Sequence, residues 1–273
     1  MKISKNLKKK LDSLISLLKG KNIIVAFSGG TDSSLLAYIS SKYAKNTLLL
    51  TEKSVLTPSN EIEETKKFAQ KYNITHIILE GTPLKNNDFI ENPTDRCYIC
   101  KKDIFSKFVK IKEEKNFDLI IDGSHLDDTS GFRPGMKALQ ELNIISPYIE
   151  SNINKQEIRE LSNHFGLETS FKPSNACLAS RIPYNEEISE KKLQMVQQAE
   201  DFLKHEFNLK QVRVRFHDKN LARIEFLKEY LPQILTKKNF NLISNTFKKI
   251  GFVYITIDIE GFRSGSMDEI FNL

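Results

Sequence analysis

The chain has little of what marks a secreted or membrane-bound protein. It carries three cysteines in 273 residues, an odd number at uneven spacing, which excludes a disulfide-built scaffold and points to a reducing, cytoplasmic setting. No apolar run approaches the length of a bilayer span, so no membrane partner is expected. The Lys-rich first twenty residues contain no arginine and run straight into an apolar segment, unlike a transit peptide. Leu7, Leu11, Leu14, Ile15 and Leu18 instead share one face of a helix packed on the domain. Internal repeats, low-complexity tracts and dense basic patches are absent from the sequence. The net charge of +6 favours anionic ligands mildly, but the basic residues are scattered and argue against a nucleic-acid partner.

What the chain does have is one well-formed strand–turn–helix signal, Ile23-Ile24-Val25-Ala26-Phe27 followed by Ser28-Gly29-Gly30-Thr31-Asp32-Ser33-Ser34. The apolar run suits a strand buried on both faces. Gly29 and Gly30 let backbone N–H groups approach a ligand without an intervening Cβ. Asp32, Ser33 and Ser34 open a helix whose N-terminal N–H groups and dipole favour phosphate. A Walker loop would place a lysine before the Ser/Thr at the helix start, and none stands here. The order of residues instead resembles the PP-loop of the N-type ATP pyrophosphatases. That resemblance implies that the loop holds the β- and γ-phosphates of ATP, that the α–β bond is cleaved, and that the substrate is adenylated.

Further along, Thr47–Thr51, Ile74–Leu79 and Phe117–Ile121 read as buried strands alternating with helices, one of them opened by Thr57-Pro58. This rhythm predicts an α/β fold with a doubly wound parallel sheet, whose ligands sit at the carboxyl ends of the strands beside Ser28, Thr51 and Asp122. Lys85 to Asp95 reads as a polar loop, and Arg96 opens a helix reaching to about Glu114. Asp127 and Asp128 follow the fourth strand and have two readings, ligands of Mg²⁺ or caps of the next helix; function is favoured for Asp127. Asn154 to Glu157 starts a helix that stops at Gly166. Phe171 to Tyr184, with two prolines, Cys177 and Arg181, has no period and reads as a functional junction loop. Ser189–Glu206 then reads as a helix, Val212–Phe216 and Leu221–Phe226 as a hairpin, Ile234–Ile250 as a helix, and Phe252–Ile259 as a last strand. The expected division is a first domain over 1–170, a junction over 171–186, and a smaller α+β domain over 187–273.

Cys97 and Cys100 form a C-x-x-C pair, and Cys177 stands apart. Such a pair can be a redox dithiol, half of a zinc site, or part of an iron–sulfur cluster. Zinc lacks an evident fourth ligand, a dithiol leaves Cys177 unexplained, and a 4Fe-4S cluster on three thiolates leaves one iron open. Spacing alone does not choose among them. Arg133, Arg181, Arg213, Arg215 and Arg263 are candidates for gripping phosphate or carboxylates with paired bonds, each of them equally able to serve in a surface ion pair. Arg213 and Arg215 share one strand face by period-two alternation, which favours a joint anion site.

Taken together, these segments resemble the LarE family, ATP-dependent sulfur transferases that act in assembly of the nickel-pincer nucleotide cofactor. The resemblance rests on Ser28 to Ser33, Arg96-Cys97-Tyr98-Ile99-Cys100-Lys101, Arg133-Pro134-Gly135, Lys172 to Tyr184, Arg213-Val214-Arg215, and Gly261 to Ser266. It implies that a carboxylate of a pyridinium biscarboxylate mononucleotide is adenylated and then receives sulfur. Ser28, Gly29, Gly30, Asp32, Ser33 and Asp127 would bind ATP and Mg²⁺; the five arginines would hold the mononucleotide; Cys177, Asp32 and Arg181 would be catalytic. One branch of the family sacrifices the sulfur of a cysteine at the position of Cys177. Another, similar to tRNA thiolases with a 4Fe-4S cluster, carries three cysteines, which Cys97, Cys100 and Cys177 match, with sulfide or another donor as the sulfur source. The family also implies a homo-oligomer built partly on the C-terminal domain. A tRNA thiolase and an amide-forming ligase of the NAD or GMP synthetase type are the competing classes; the second leaves all three cysteines idle.

Overall fold

The computed structural model describes residues 3–58, 61–130, 133–173 and 176–271. In chain order these form α1 (Lys5–Leu18), β1 (Asn22–Ala26), α2 (Thr31–Tyr43), β2 (Asn46–Lys53), α3 (Glu61–Tyr72), β3 (Thr75–Glu80), α4 (Asn87–Ile90), α5 (Arg96–Glu114) and β4 (Leu119–Ile121). They continue with α6 (Pro134–Glu141), α7 (Pro147–Glu150), α8 (Lys155–His164), α9 (Glu190–Phe207), β5 (Val212–His217), β6 (Leu221–Phe226), α10 (Leu231–Ile234), α11 (Lys237–Ile250) and β7 (Tyr254–Ile257). Among the described residues, no helix is long and apolar enough to cross a membrane. Two compact units emerge: one of residues 1–83 and 95–175, the other of 84–94 and 176–273.

The first unit is a parallel sheet in the order β3-β2-β1-β4 with helices on both faces. Alternation along β1 explains the two layers. Ile23 and Val25 enter a core with Leu14 of α1, Leu35 and Ile39 of α2 and Leu161 of α8. Ile24 enters the opposite core with Leu48, Leu50, Phe105, Phe108 and Leu139. Each such side chain, once removed from water, contributes roughly 1.5–3 kcal/mol before entropy is counted. Thr57 does not open a helix: its backbone N–H and hydroxyl are tied back to Ser54 in a turn, and α3 begins at Glu61. Ser59 and Asn60 lie outside the described residues.

The second unit holds a three-stranded sheet in the order β5-β6-β7, with β5 antiparallel and β7 parallel to β6. The expected single helix over Ile234–Ile250 is two helices, because the Thr236 side chain caps Asn239 and starts α11 afresh. The segment expected as a polar loop, Lys85 to Asp95, also differs. It contains α4, capped by Asn86, and buries Phe89 and Asn92. The Asn92 amide donates to the carbonyls of Pro183 (2.6 Å) and Glu186 (3.1 Å), and its own carbonyl accepts from Asn185 N–H at 2.9 Å. Its φ of 57° is left-handed, where Asn is tolerated better than other side chains.

β5 is buried on both faces, one apolar (Val212, Val214, Phe216) and one carrying Arg213 and Arg215. The charges are met by acids of neighbouring elements. Glu200 of α9 accepts from Arg181 Nε (2.8 Å) and Nη2 (3.0 Å), while Glu225 of β6 accepts from Arg215 Nη2 at 2.8 Å. Ser266 donates to the second Glu225 oxygen at 2.6 Å, and Val214 N–H to Glu200 at 3.1 Å. Burial pulls the Arg213 guanidinium down to about 10, helped by the like charge of Arg181. Burial pushes the Glu200 carboxyl up, but the charge and hydrogen bonds of Arg181, with Arg213 and Lys204, outweigh it and hold the group below the usual range.

Asn92→Ala should destabilise the protein by about 1–3 kcal/mol in urea titrations, because two partly buried carbonyls lose the donor of a buried side chain and the backbone strain rises. No loss would mean that the 84–94 segment is not integral to the second unit. Because the folded Glu200 pKa is lowered, its stabilisation is complete above the ordinary carboxylate range and is lost as pH falls through the lowered value. Glu200→Gln should therefore be less stable than the parent at pH 7, by about 3–5 kcal/mol, yet lose less on acidification. Parallel acid arms of the two stability curves would contradict this.

Candidate active site

The loop after β1 is built by the sheet itself. Phe27 N–H extends the pairing to Leu50 O (2.8 Å), and Thr51 Oγ1 donates to Phe27 O (2.6 Å), fixing the last carbonyl before the turn. Gly29 then takes φ 71°, and a Cβ there would lie 2.9 Å from Thr65 Cγ2, so both backbone conformation and space call for glycine. Gly30 stands at the N-cap of α2, and among the described residues no side chain caps this helix start. Ser28 and Ser33 hydroxyls lie 3.2 Å apart and close the turn upon itself. Gly123, after β4, is tightly placed too: a Cβ would come within 3.1 Å of Asp32 Cβ and 3.2 Å of Ser33 N. Behind the loop, the buried Tyr148 hydroxyl donates to Asp32 O at 2.9 Å, and Thr31 Oγ1 donates to Thr169 O at 2.8 Å. Ser28, Gly29, Gly30, Asp32 and Ser33 are thus brought together at one helix start, which can receive an anion through unspent N–H donors.

The acids after β4 are engaged by the protein. Asp127 Oδ2 accepts the Lys155 N–H at 2.8 Å, capping α8, and Asp128 reaches back to His125 N–H in a capping box. Arg133 pairs with Asp128 at 3.2 Å; Gly131 and Phe132 lie outside the described residues. Two lysines absent from the sequence-derived candidates touch the loop. Lys155 Nζ grips both oxygens of Asp32 (2.5 and 2.6 Å), and Lys172 Nζ donates to Gly29 O at 2.9 Å while pairing with Glu64. Their sequence signals were a helix start and a proline-rich stretch, neither of which states which loop the side chain meets.

Cys97 and Cys100 stand three residues apart at the start of α5, the first exposed and the second half-buried. α5 approaches α6 closely at Gly135, where a Cβ would lie 2.9 Å from Lys101 Cδ. Tyr98 between them carries the Lys102 and Lys137 ammonium groups at 5.1 and 5.4 Å from its ring centre, and its hydroxyl donates to Glu141 at 2.9 Å.

In the second unit, Cys177 is exposed and stands at the N-cap of a short 3₁₀ turn, Leu178–Arg181. Arg181 is buried beneath it, and its Nη1 donates to the carbonyls of Ala176 (2.8 Å) and Cys177 (3.2 Å). The guanidinium proposed for substrate thus also fixes the backbone that carries the thiol. Arg215 Nη1 holds the Ser180 carbonyl at 3.1 Å, and Arg213 lies over the Phe262 ring. Arg263 is more open and pairs with Asp258, Glu260 and Glu269. Ser174 and Asn175 of the junction lie outside the described residues. All three cysteines are thiols, not disulfides, and among the described residues no group of three or more His, Cys, Asp or Glu side chains is assembled for a metal ion.

No family model matches the chain. Individual proteins do. The chain is 30% identical over 265 residues to the pyridinium-3,5-bisthiocarboxylic acid mononucleotide synthase of Lactiplantibacillus plantarum, covering 94% of this chain and 93% of that one. It is 35% identical over 248 residues to an uncharacterized protein of Synechocystis sp. (90% and 92% of the two chains). A protein of Methanocaldococcus jannaschii, also uncharacterized, is 34% identical over 264 residues, 97% of each chain. The similarity to the synthase runs nearly the length of both chains, and the chain belongs to its family, the LarE family.

Proposed function

We propose that the protein is an ATP-dependent sulfur transferase that converts a carboxylate of a pyridinium biscarboxylate mononucleotide into a thiocarboxylate. The observation that carries this reading is the start of α2, a glycine-opened helix without a side-chain cap at the end of an inner parallel strand, in a chain related nearly end to end to a synthase of the bisthiocarboxylate. A carboxylate oxygen is a poor leaving group, so it must first be activated. One substrate oxygen attacks the α-phosphorus of ATP; the α–β P–O bond breaks and its electron pair leaves with pyrophosphate. Ser28, Gly29, Gly30 and Ser33 bind the departing group through N–H and hydroxyl donors that gain strength as its charge develops. Asp32, with Asp127, would hold Mg²⁺, which would supply positive charge to offset that of the phosphates. A sulfur nucleophile then attacks the acyl carbon, and AMP departs with the C–O electron pair.

The second unit supports an anionic substrate. Among its described residues, Arg181, Arg213 and Arg215 are buried against only two buried acids, Glu200 and Glu225, and the buried Arg215 Nε has no hydrogen-bond partner. A phosphate or carboxylate of the mononucleotide, with Arg263 and Arg133 as further contacts, would balance that surplus. The three thiols fit a 4Fe-4S cluster in their donor chemistry. With three protein ligands such a cluster would, when bound, have an iron open to external sulfide. The exposure of Cys177 favours a second source, its own sulfur, given up with conversion to dehydroalanine. Exposed Tyr254, Ile259 and Ile270 in the second unit support self-association.

With substrate present, AMP and pyrophosphate should accumulate; ADP and inorganic phosphate would rule the reading out. Asp32→Asn should cut turnover on the order of a hundredfold while changing unfolding free energy by about 1 kcal/mol or less, since its ion pair is partly exposed.

The sulfur source is decided by anaerobic purification and intact mass. A cluster predicts brown protein with iron and acid-labile sulfide, both diminished in Cys97→Ala, Cys100→Ala and Cys177→Ala. A colourless protein that turns over once, becomes lighter by hydrogen sulfide and tolerates Cys97→Ala would establish the sacrificial route instead.

A further inference from the structure

The loop from Ser28 to Ser34 contains no cation and one acid, Asp32. Pyrophosphate leaving from ATP carries several negative charges, whereas the start of a helix supplies only about half a positive charge. Something else must offset the remainder. Lys155 and Lys172 reach the loop from 123 and 143 residues away in sequence, and they meet it at opposite ends. Lys172 holds the carbonyl of Gly29 before the turn, and Lys155 holds the carboxylate of Asp32 in the first turn of α2.

We infer that Lys155 and Lys172 together take the part of the missing loop lysine and bind the pyrophosphate portion of ATP. The inference rests on the α–β cleavage proposed above. Both side chains are partly buried, with exposures of 30% and 17%, so their charges are screened less than those of fully exposed lysines, and each is paired with one carboxylate, Asp32 or Glu64, that phosphate would come to share. Both are anchored through their backbones. Lys155 is the first residue of α8, its N–H given to Asp127 and the helix start closed by the Asn154–Glu157 capping box. Lys172 follows the 3₁₀ turn Glu168–Phe171, to which Thr31 of the loop is itself bonded through Thr169 O. Each ammonium has three protons, of which partners among the described residues take two, and a third can serve a phosphate oxygen. A stabilising role alone accounts poorly for the arrangement, because partly exposed ion pairs contribute little and need not converge on one loop. In the reaction, the electron pair released to the bridging oxygen as the α–β bond breaks is met by these N–H donors. No proton need be transferred. Asp32 would hold Mg²⁺ through the carboxylate that Lys155 now pairs with, and the Lys155 ammonium would then be shared with phosphate.

The test is calorimetric titration of the full chain with pyrophosphate plus Mg²⁺, and separately with AMP. Lys172→Gln and Lys155→Gln should each weaken pyrophosphate binding by about tenfold or more, the value of a hydrogen bond to a charged group, while AMP affinity stays essentially as in the parent. The two substitutions act at different ends of the loop, so either serves if the other fails to fold. Lys155→Gln should also leave Mg²⁺ alone binding at least as well as before, since Asp32 loses a competitor. Unchanged pyrophosphate binding in both variants, or equal loss of pyrophosphate and AMP, would overturn the inference while leaving α–β cleavage standing. A parent protein that releases ADP from ATP and binds no pyrophosphate would overturn the cleavage reading, and this inference with it.

Discussion

The burial of β1 on both faces is the constraint from which the first unit follows. Ile23, Ile24 and Val25 are wholly removed from water, and their alternation commits the chain to two helical layers. An inner strand so covered can expose backbone only at its end, which is where the glycine turn begins. The neighbouring β2 sets that end in place: Leu50 O takes the Phe27 N–H and Thr51 takes the Phe27 carbonyl, so the chain enters Ser28 in one direction only. Gly29 then turns against Thr65 with no room for a side chain. Packing energy in the sheet is thereby converted into a fixed array of N–H donors, at no further entropic cost when an anion arrives.

The second unit reaches order by a different physical route. Its edge strand β5 buries arginines as well as valines, and buried charge is tolerated only where partners are well placed. Glu200 satisfies Arg181, Val214 N–H and part of Arg213 from one carboxylate, and Glu225 satisfies Arg215 and Ser266 from another. The network ties the Cys177 turn to the sheet, since Arg181 and Arg215 both end on carbonyls of residues 176–180. The exposed thiol of Cys177 is in this way carried on backbone that is held from below.

Much of this was legible in the sequence where the signal is local. The strand–turn–helix at Ile23 to Ser34, the helix Arg96–Glu114 and the hairpin of β5 and β6 each depend on patterns within a few residues. What could not be read depends on partners far along the chain. The 84–94 segment looks polar because Asn92 gives no sign that its amide meets carbonyls some ninety residues on. Asp127 has the composition of a metal ligand, and nothing near it in sequence shows that one of its two oxygens takes the N–H of Lys155. The period-two pattern placed Arg213 and Arg215 on one face, but not that this face is buried, because the acids that permit burial sit on α9 and β6.

The same distinction bears on how the loop acts. A phosphate loop with its own lysine carries its countercharge in the motif, and the sequence declares it. Here the motif supplies only N–H groups, hydroxyls and one carboxylate, so the positive charge at the loop comes from Lys155 and Lys172, on segments that fold back from the far end of the unit. Asp32 is paired with one lysine, and the Gly29 carbonyl is held by another. A loop so compensated can stay folded without ligand, and it exchanges internal partners for phosphate and metal when they bind. The electrostatic preparation for cleavage is therefore a tertiary property, present only once α8 and the turn before Lys172 have docked.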